Sequence, residues 1–207
     1  MRTFFSRATV IPFLFFLLLA PLAYAKEPPD VLLKQLTQEV IVELRQHDQD
    51  IHSHPKHLYD IIDRILVPYI DWEAMSQWVV GRDAWKRATP QQRIQFSAEF
   101  RELLIRTYAS TLKAYKNQSI EYLPVRGGVG SKSRVQVNSL IRESGRQPIK
   151  VSYRMADKGD AWKVYDISIE GVSLLQGFQS QFSTEIRQQG LNGLIMRLHR
   201  HNERPLR

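Results

Sequence analysis

The sequence predicts an α+β fold, with helices packed on an antiparallel sheet of about four strands, and three observations predict it. Apolar residues recur at helical spacing from residue 30 to 116, change to an alternating pattern from Ser119, and return to the helical period after Gly171. At Gly171 a strand pattern that starts at Trp162 passes directly into an apolar helix running through Phe178 and Phe182. Turn residues, Gly145 and Lys158-Gly159-Asp160, stand between consecutive strand patterns, as an antiparallel meander requires.

The first 25 residues read as a cleaved secretory leader. Arg2 and Arg7 open it, Val10 to Leu22 is almost wholly apolar, and Ala23-Tyr24-Ala25 fits the small-x-small cleavage rule. The apolar run is broken by Pro12 and Pro21 and is short for a bilayer core of about 30 Å. Export to the periplasm as a freely diffusing protein is the expectation, because Lys26 rather than a cysteine follows the cut and excludes acylation there. Residues 26–201 are expected to form one domain, with 202–207 a frayed polar tail. The chain has no cysteine, so disulfides, thiolate metal sites and cysteine nucleophiles are excluded and the apolar core must hold the fold. Twenty-nine Lys and Arg less the leader's two, against twenty-one Asp and Glu, leave a formal charge of +6. That surplus suits anionic surfaces or acidic partners and equally suits plain solubility.

Asp30 is placed to cap a helix bearing Leu33, Leu36, Val40 and Leu44, which runs out near His47. A second helix carries Leu58, Ile61, Ile62, Ile65, Leu66 and Tyr69, and Pro68 kinks or ends it. Asp71 caps a short helix with Met75, Trp78 and Val79, which Gly81 stops. Thr89-Pro90-Gln91-Gln92 is the sharpest local signal, with threonine at the N-cap, proline at the first helical position and glutamine able to reach back. The long helix it starts carries Phe96, Phe100, Leu103, Leu104, Tyr108, Leu112 and Tyr115, and its aromatic content favours packing on a sheet over a coiled coil. Strands are predicted over 120–125, 134–142, 149–156 and 162–170. In the third, Ile149, Val151, Tyr153 and Met155 share one face, and Lys150, Ser152 and Arg154 the other. The last helix runs through Leu174, Leu175, Phe178, Phe182 and Ile186 to a stop at Gly190, and a short helix follows over 191–199.

Catalytic constellations fail in turn. Ser173 stands at a strand-to-helix junction but lacks the second glycine of a nucleophile elbow, and a helix N-cap is its commoner role. Gly127-Gly128-Val129-Gly130 has no following Lys-Ser or Lys-Thr to hold phosphate. His47, His52, His54 and His57 match no closed metal-ligand spacing, Pro55 interrupts them, and a solvated loop is the reading. Asp166 and Glu170 read as salt-bridge formers rather than an acid-base pair. Nucleic-acid binding conflicts with the leader and with the lack of interleaved basic and aromatic residues. No enzyme activity, cofactor or metal is expected.

What is left is an abundance of large apolar side chains on the long helix, the sheet and the last helix. Core packing and an open cleft between them are both compatible with that pattern. Here the chain resembles the MlaC-type, or toluene-tolerance, family of periplasmic phospholipid carriers. The resemblance runs in order over residues 71–201, through Val80-Gly81 and Trp85, Ala88-Thr89-Pro90-Gln91-Gln92-Arg93, Thr107-Tyr108-Ala109, Pro148-Ile149, Tyr165-Asp166, Glu170-Gly171-Val172-Ser173 and Ser180-Gln181-Phe182. It implies a twisted sheet with a hydrophobic lipid cavity between sheet and helices, and a shuttle, expected to be monomeric, for glycerophospholipid. The implied route joins an outer-membrane lipoprotein complex to an inner-membrane ABC transporter with its substrate-binding domain and maintains outer-membrane lipid asymmetry. On that footing Phe96, Phe100, Leu103, Leu104, Tyr108, Val151, Tyr153, Ile167, Ile169, Leu174, Phe178 and Phe182 are expected to line the cavity, with Val164 competing for the inward face of its strand. The head group is expected at the mouth, in water. Lys86, Arg87, Arg93 and Arg106 are the candidates for docking acidic partners or lipid phosphate. The alternative is a periplasmic enzyme or adaptor on a cone-shaped α+β fold without a lipid cavity.

Overall fold

The structure, a computed structural model, describes residues 26–116 and 118–205, so the expected leader lies outside the described residues. The first helix, α1 (Pro29–Gln46), starts one residue before Asp30. Proline at its first position has φ already set for a helix, and Asp30 sits in the first turn, where a negative charge meets the positive end of the helix dipole. A short helix, α2 (Asp48–Ser53), forms where a loop was expected, with His47 at the junction. Next come α3 (Lys56–Ile65), a 3-10 turn at Val67–Tyr69 around Pro68, and α4 (Trp72–Val80). The Asp71 side chain caps α4 by accepting from the Ala74 N–H at 3.2 Å, and Gly81, at φ 85°, ends it. A six-residue helix that the sequence pattern did not announce, α5 (Arg82–Arg87), precedes α6 (Pro90–Lys113). At the start of α6 the Gln92 N–H donates to the Thr89 hydroxyl and the Gln92 side chain accepts from the Thr89 N–H, as the local signal predicts.

The sheet has five strands in sequence order, all antiparallel: β1 (Ser119–Leu123), β2 (Arg134–Arg142), β3 (Ile149–Asp157), β4 (Trp162–Ile169) and β5 (Val172–Ser173). The fifth is a two-residue strand made where Gly171, at φ 81°, turns the chain back on β4. Ser173 then caps α7 (Leu174–Asn202), accepting from the Gln176 N–H and donating to buried Asp166 at 2.8 Å. Gly190, with φ 70° and ψ 175°, breaks α7 internally at the predicted stop.

Two apolar cores result. One is helical: Met75, Val79, Phe96, Phe100, Phe182, Leu194 and their neighbours bring α4, α5, the first half of α6 and α7 together. The other joins α1, α3 and the second half of α6 to the sheet, through Leu36, Val40, Ile62, Ile105, Ala109, Val137, Met155 and Trp162. Helix α6 belongs to both. At 1.5 Å per residue its 24 residues span about 36 Å, longer than one core needs. Its Phe96-Phe100-Leu103 stripe and its Ile105-Ala109-Leu112 stripe each follow i, i+4, i+7 spacing but point different ways.

Asn202, expected in a frayed tail, is instead buried at the end of α7. Its side-chain amide donates to the Glu99 carbonyl at 3.0 Å and the Glu99 carboxylate at 2.7 Å, which ties the helix end to α6.

Candidate functional site

Between α1 and the sheet lies a cavity of about 260 Å3. Its α1 wall is the stripe that periodicity singled out, Leu33, Leu36, Val40 and Leu44, joined by Thr37 and Ile41. The sheet supplies Ile120, Tyr122, Ile141, Tyr153, Val164 and Ile167, while Leu66, Tyr69, Ile70, Leu112 and Tyr115 close the flanks. The few polar atoms are hydroxyls. The Thr37 and Tyr122 hydroxyls share a hydrogen bond at 2.5 Å that links α1 to β1 across the chamber. The Tyr122 and Tyr153 rings stand 6.0 Å apart. Burial, then the neighbouring Tyr153, pushes the Tyr122 hydroxyl far above its ordinary value, so it stays protonated and neutral. Such a chamber suits an apolar ligand, and its lining offers neither a charged acid nor a base.

A β-bulge explains how Val164 and Ile167, three residues apart, both reach this wall. Arg154 pairs with Asp166 but Met155 pairs with Val164, which leaves Tyr165 as the extra residue. The competition between Val164 and the Ile167-Ile169 pair therefore has no loser, since the bulge turns all three to the side facing α1. Asp166 is turned to the other side, 3.6 Å from Arg154, and the Glu170 carboxylate accepts from the Lys150 N–H, so the two carboxylates do not act together.

At the C-terminal end of α1 the cavity adjoins a polar cleft, with Leu44, Leu112 and Tyr115 forming part of both. Exposed Arg45, Lys113 and Lys116 rim that cleft together with Asp48. The Tyr115 hydroxyl donates to the Gln118 carbonyl, so this mouth stands beside the start of β1. Trp162, two residues before Val164 on β4, is buried in the sheet core, and Lys26 sits 5.6 Å over its ring while also pairing with Asp157.

Of the twelve residues expected to line the cavity, Tyr153 and Ile167 do so. Val151 and Ile169 lie on the same sheet face, directly opposite each other, nearer the mouth. Phe96, Phe100, Leu103, Leu104 and Phe182 are buried in the helical core, against which Tyr108 and Phe178 pack from its edge; Leu174 is half-buried at the start of α7. The phenylalanines pack on one another, with ring centroids 5.4 to 6.2 Å apart, and fill their space. The α1 wall lies largely outside the stretch that carries the family resemblance, and its sequence signal is the buried stripe Leu33, Leu36, Val40 and Leu44.

Among the docking candidates, Lys86 and Arg87 are exposed on α5. Lys86 borders a groove that also takes in Arg82, Arg134, Trp78 and Tyr165. Arg93 is spent on structure: it donates to the Trp85 carbonyl at 3.1 Å and lies 5.4 Å over that indole, clamping α5 to α6. Arg106 pairs with Glu102 at 2.7 Å and donates to the Arg204 carbonyl at 2.8 Å, holding down the chain end. The His54 and His57 rings lie 5.8 Å apart at a 38° tilt, and no group of potential metal ligands occurs among the described residues. No helix among them is long and apolar enough to cross a membrane.

The model of the family described as MlaC protein matches residues 34–200. The toluene tolerance protein Ttg2D of Pseudomonas putida is 25% identical over 169 residues, covering 82% of this chain and 78% of its own length. The intermembrane phospholipid transport system binding protein MlaC of Haemophilus influenzae is 27% identical over 187 residues, 89% of this chain and 86% of its own. Among solved structures, a phospholipid-binding protein from Ralstonia solanacearum, in complex with a phospholipid, superposes with a TM-score of 0.77 at 30% identity. That superposition covers 85% of this chain and 97% of the other.

Proposed function

This chain belongs to the MlaC protein family, and from that premise we propose that it is a periplasmic phospholipid carrier, shuttling glycerophospholipid between an outer-membrane lipoprotein complex and an inner-membrane ABC transporter with its substrate-binding domain. The single observation that carries this reading is the apolar chamber between α1 and the sheet. Two acyl tails hold about thirty methylenes, and at roughly 0.8 kcal/mol each their exposure to water costs on the order of 20 kcal/mol, so lipid does not cross an aqueous space unaided. A chamber walled by leucine, isoleucine, valine and aromatic rings removes that cost, and its neutral hydroxyls impose no charge on the cargo. Arg45, Lys113 and Lys116 at the mouth stand where an anionic head group emerges, still largely in water, which favours loose head-group selection. Lys86 and Arg87, exposed and away from that mouth, serve as docking contacts for acidic partner surfaces. Transfer needs no covalent step, so no residue is assigned a catalytic role. Delivery by this route is what maintains outer-membrane lipid asymmetry.

Organic extraction of the purified protein followed by lipid mass spectrometry tests the carrier reading. About one phospholipid per chain is expected, falling at least tenfold in Ile41→Asp, which places a charge on the half-buried α1 wall. Protein that carries no phospholipid and moves none between vesicles overturns the proposal.

A further inference from the structure

Three of the chain's four tryptophans are covered, Trp85 and Trp162 buried and Trp72 half-buried, whereas Trp78 on α4 is 40% exposed. It borders a groove of about 790 Å3 between α4, α5 and the sheet. The β4 bulge turns Tyr165, its extra residue, into the same groove. Both rings are held in place. The Gln179 side-chain amide donates to the Trp78 carbonyl at 2.9 Å, which ties α4 to α7 beside the indole, and the Arg134 guanidinium lies 5.6 Å over the Tyr165 ring. Arg82, Lys86 and Arg134, all exposed, line the groove, and none of them pairs with a carboxylate among the described residues. Asp71, the only carboxylate in the described lining, is buried, caps α4 and pairs with Lys158 at 2.6 Å. Four lining cations against one anion leave a surplus of three positive charges around two aromatic rings. Arginine, tryptophan and tyrosine are also the side chains that most often anchor a bound partner.

The groove and the cargo mouth lie at opposite ends of the sheet. The mouth stands beside the start of β1, which pairs with the end of β2 at Arg142, whereas the groove takes in Arg134 at the start of β2 and its partner Ala156. From residue 134 to 142 is about 26 Å at roughly 3.3 Å per residue. We propose that this groove docks an acidic, extended peptide segment of a partner protein, with Trp78 and Tyr165 taking its apolar side chains and Arg82, Lys86 and Arg134 its carboxylates, an inference that deepens the docking role given to Lys86 above. Successive side chains of an extended chain point to opposite sides, so one segment meets the aromatic rings and the cations at once. A recess admits such a chain, whereas a bilayer is met by a protruding tip. Held there, the carrier keeps its mouth free, so this contact tethers it and does not itself pass the lipid.

Selection of a phage-displayed random dodecapeptide library on the mature protein tests the proposal, the most enriched sequence then being synthesised with a fluorescein label for anisotropy titration. The selected peptides are expected to be acidic and to carry aromatic or aliphatic residues. Trp78→Ala and Lys86→Glu/Arg134→Glu are each expected to weaken binding of the labelled peptide by about tenfold or more, while the same charge reversal at the mouth end, Arg142→Glu/Arg146→Glu, changes it by less than about twofold. All of these side chains are exposed, so the fold should tolerate their change; if thermal unfolding shows that one groove variant does not fold, the other decides. Phospholipid content by mass spectrometry stays unchanged in Trp78→Ala. No enrichment, enrichment of peptides that are not acidic, no weakening in the groove variants, or equal weakening by the mouth-end reversal overturns the groove assignment and leaves the carrier standing. Attachment to phosphatidylglycerol vesicles that Trp78→Ala abolishes, with no acidic peptide selected, also overturns it and makes the groove a membrane contact. Loss of phospholipid from Trp78→Ala overturns it as well, because the groove then belongs to the cargo path. Unmodified protein that carries no phospholipid sinks the carrier reading, while the peptide titrations still decide the groove.

Discussion

Tyr165 decides which side chains of β4 face α1, although it makes no contact with the cavity itself. As the extra residue of a bulge it lets Trp162 and Val164 face one way, moves Asp166 to the opposite side, and returns Ile167 to the cavity. A two-residue alternation cannot contain that step, so the sequence left Val164 and Ile167 as rivals. His199 is a second case of one residue with a measurable consequence. Its Nδ1 lies 2.8 Å from Glu99 and its Nε2 3.3 Å from Glu203, and the Glu99 hydrogen bond, with both carboxylate charges, raises its pKa above the ordinary value. A raised folded-state value means the contact is fully made below about pH 6.5 and is lost as pH climbs through the folded-state midpoint. An NMR titration should therefore place the His199 midpoint above 6.5, and Glu99→Gln should bring it down; a midpoint at or below 6.5 in the unmodified protein would show that the contact does not form in solution.

Helix α6 shows at the scale of an element what periodicity can and cannot say. Its boundaries were readable, because Thr89-Pro90-Gln91-Gln92 carries the capping chemistry in four consecutive residues. Its partners were not, because an apolar stripe records that a face is buried without recording what buries it. The Phe96-Phe100 half meets α7 and α4, and the Ile105-Leu112 half meets α3 and joins the core shared with α1 and the sheet. Assigning its residues from Phe96 to Tyr108 and the apolar face of α7 to one cavity put Phe100, Phe178 and Phe182 there, whereas they pack in and against the helical core. Phe100 is fully buried there, so Phe100→Ala should cost about 3 to 5 kcal/mol in urea unfolding. A loss under about 1 kcal/mol would mean that this core is loosely filled and open to a ligand after all. Helix α1 is the converse case: Leu33, Leu36, Val40 and Leu44 were legible as a buried face, and only the fold shows that this face roofs a chamber.

The two cores divide the work of the whole molecule. The helical core, filled by phenylalanine, leucine and valine side chains, fixes α4 to α7 as a base. The sheet core is incompletely filled, and the hydrogen bond between the Thr37 and Tyr122 hydroxyls braces α1 over the gap. Helix type, sheet order and the switch at Gly171 were visible in sequence because each rests on local spacing. The position of the cavity was not, because it depends on where α1, far along the chain, returns to the sheet. In the carrier we propose, acyl tails lie against the α1 side of the sheet and not among the phenylalanines. Site-specific photocrosslinking tests it most directly, with a benzophenone side chain installed in place of Tyr153 or, separately, Phe178 in lipid-loaded protein. Capture of a radiolabelled phospholipid tail is expected at position 153 and not at 178; capture at 178, or at neither position, would rule out tails on the α1 side of the sheet.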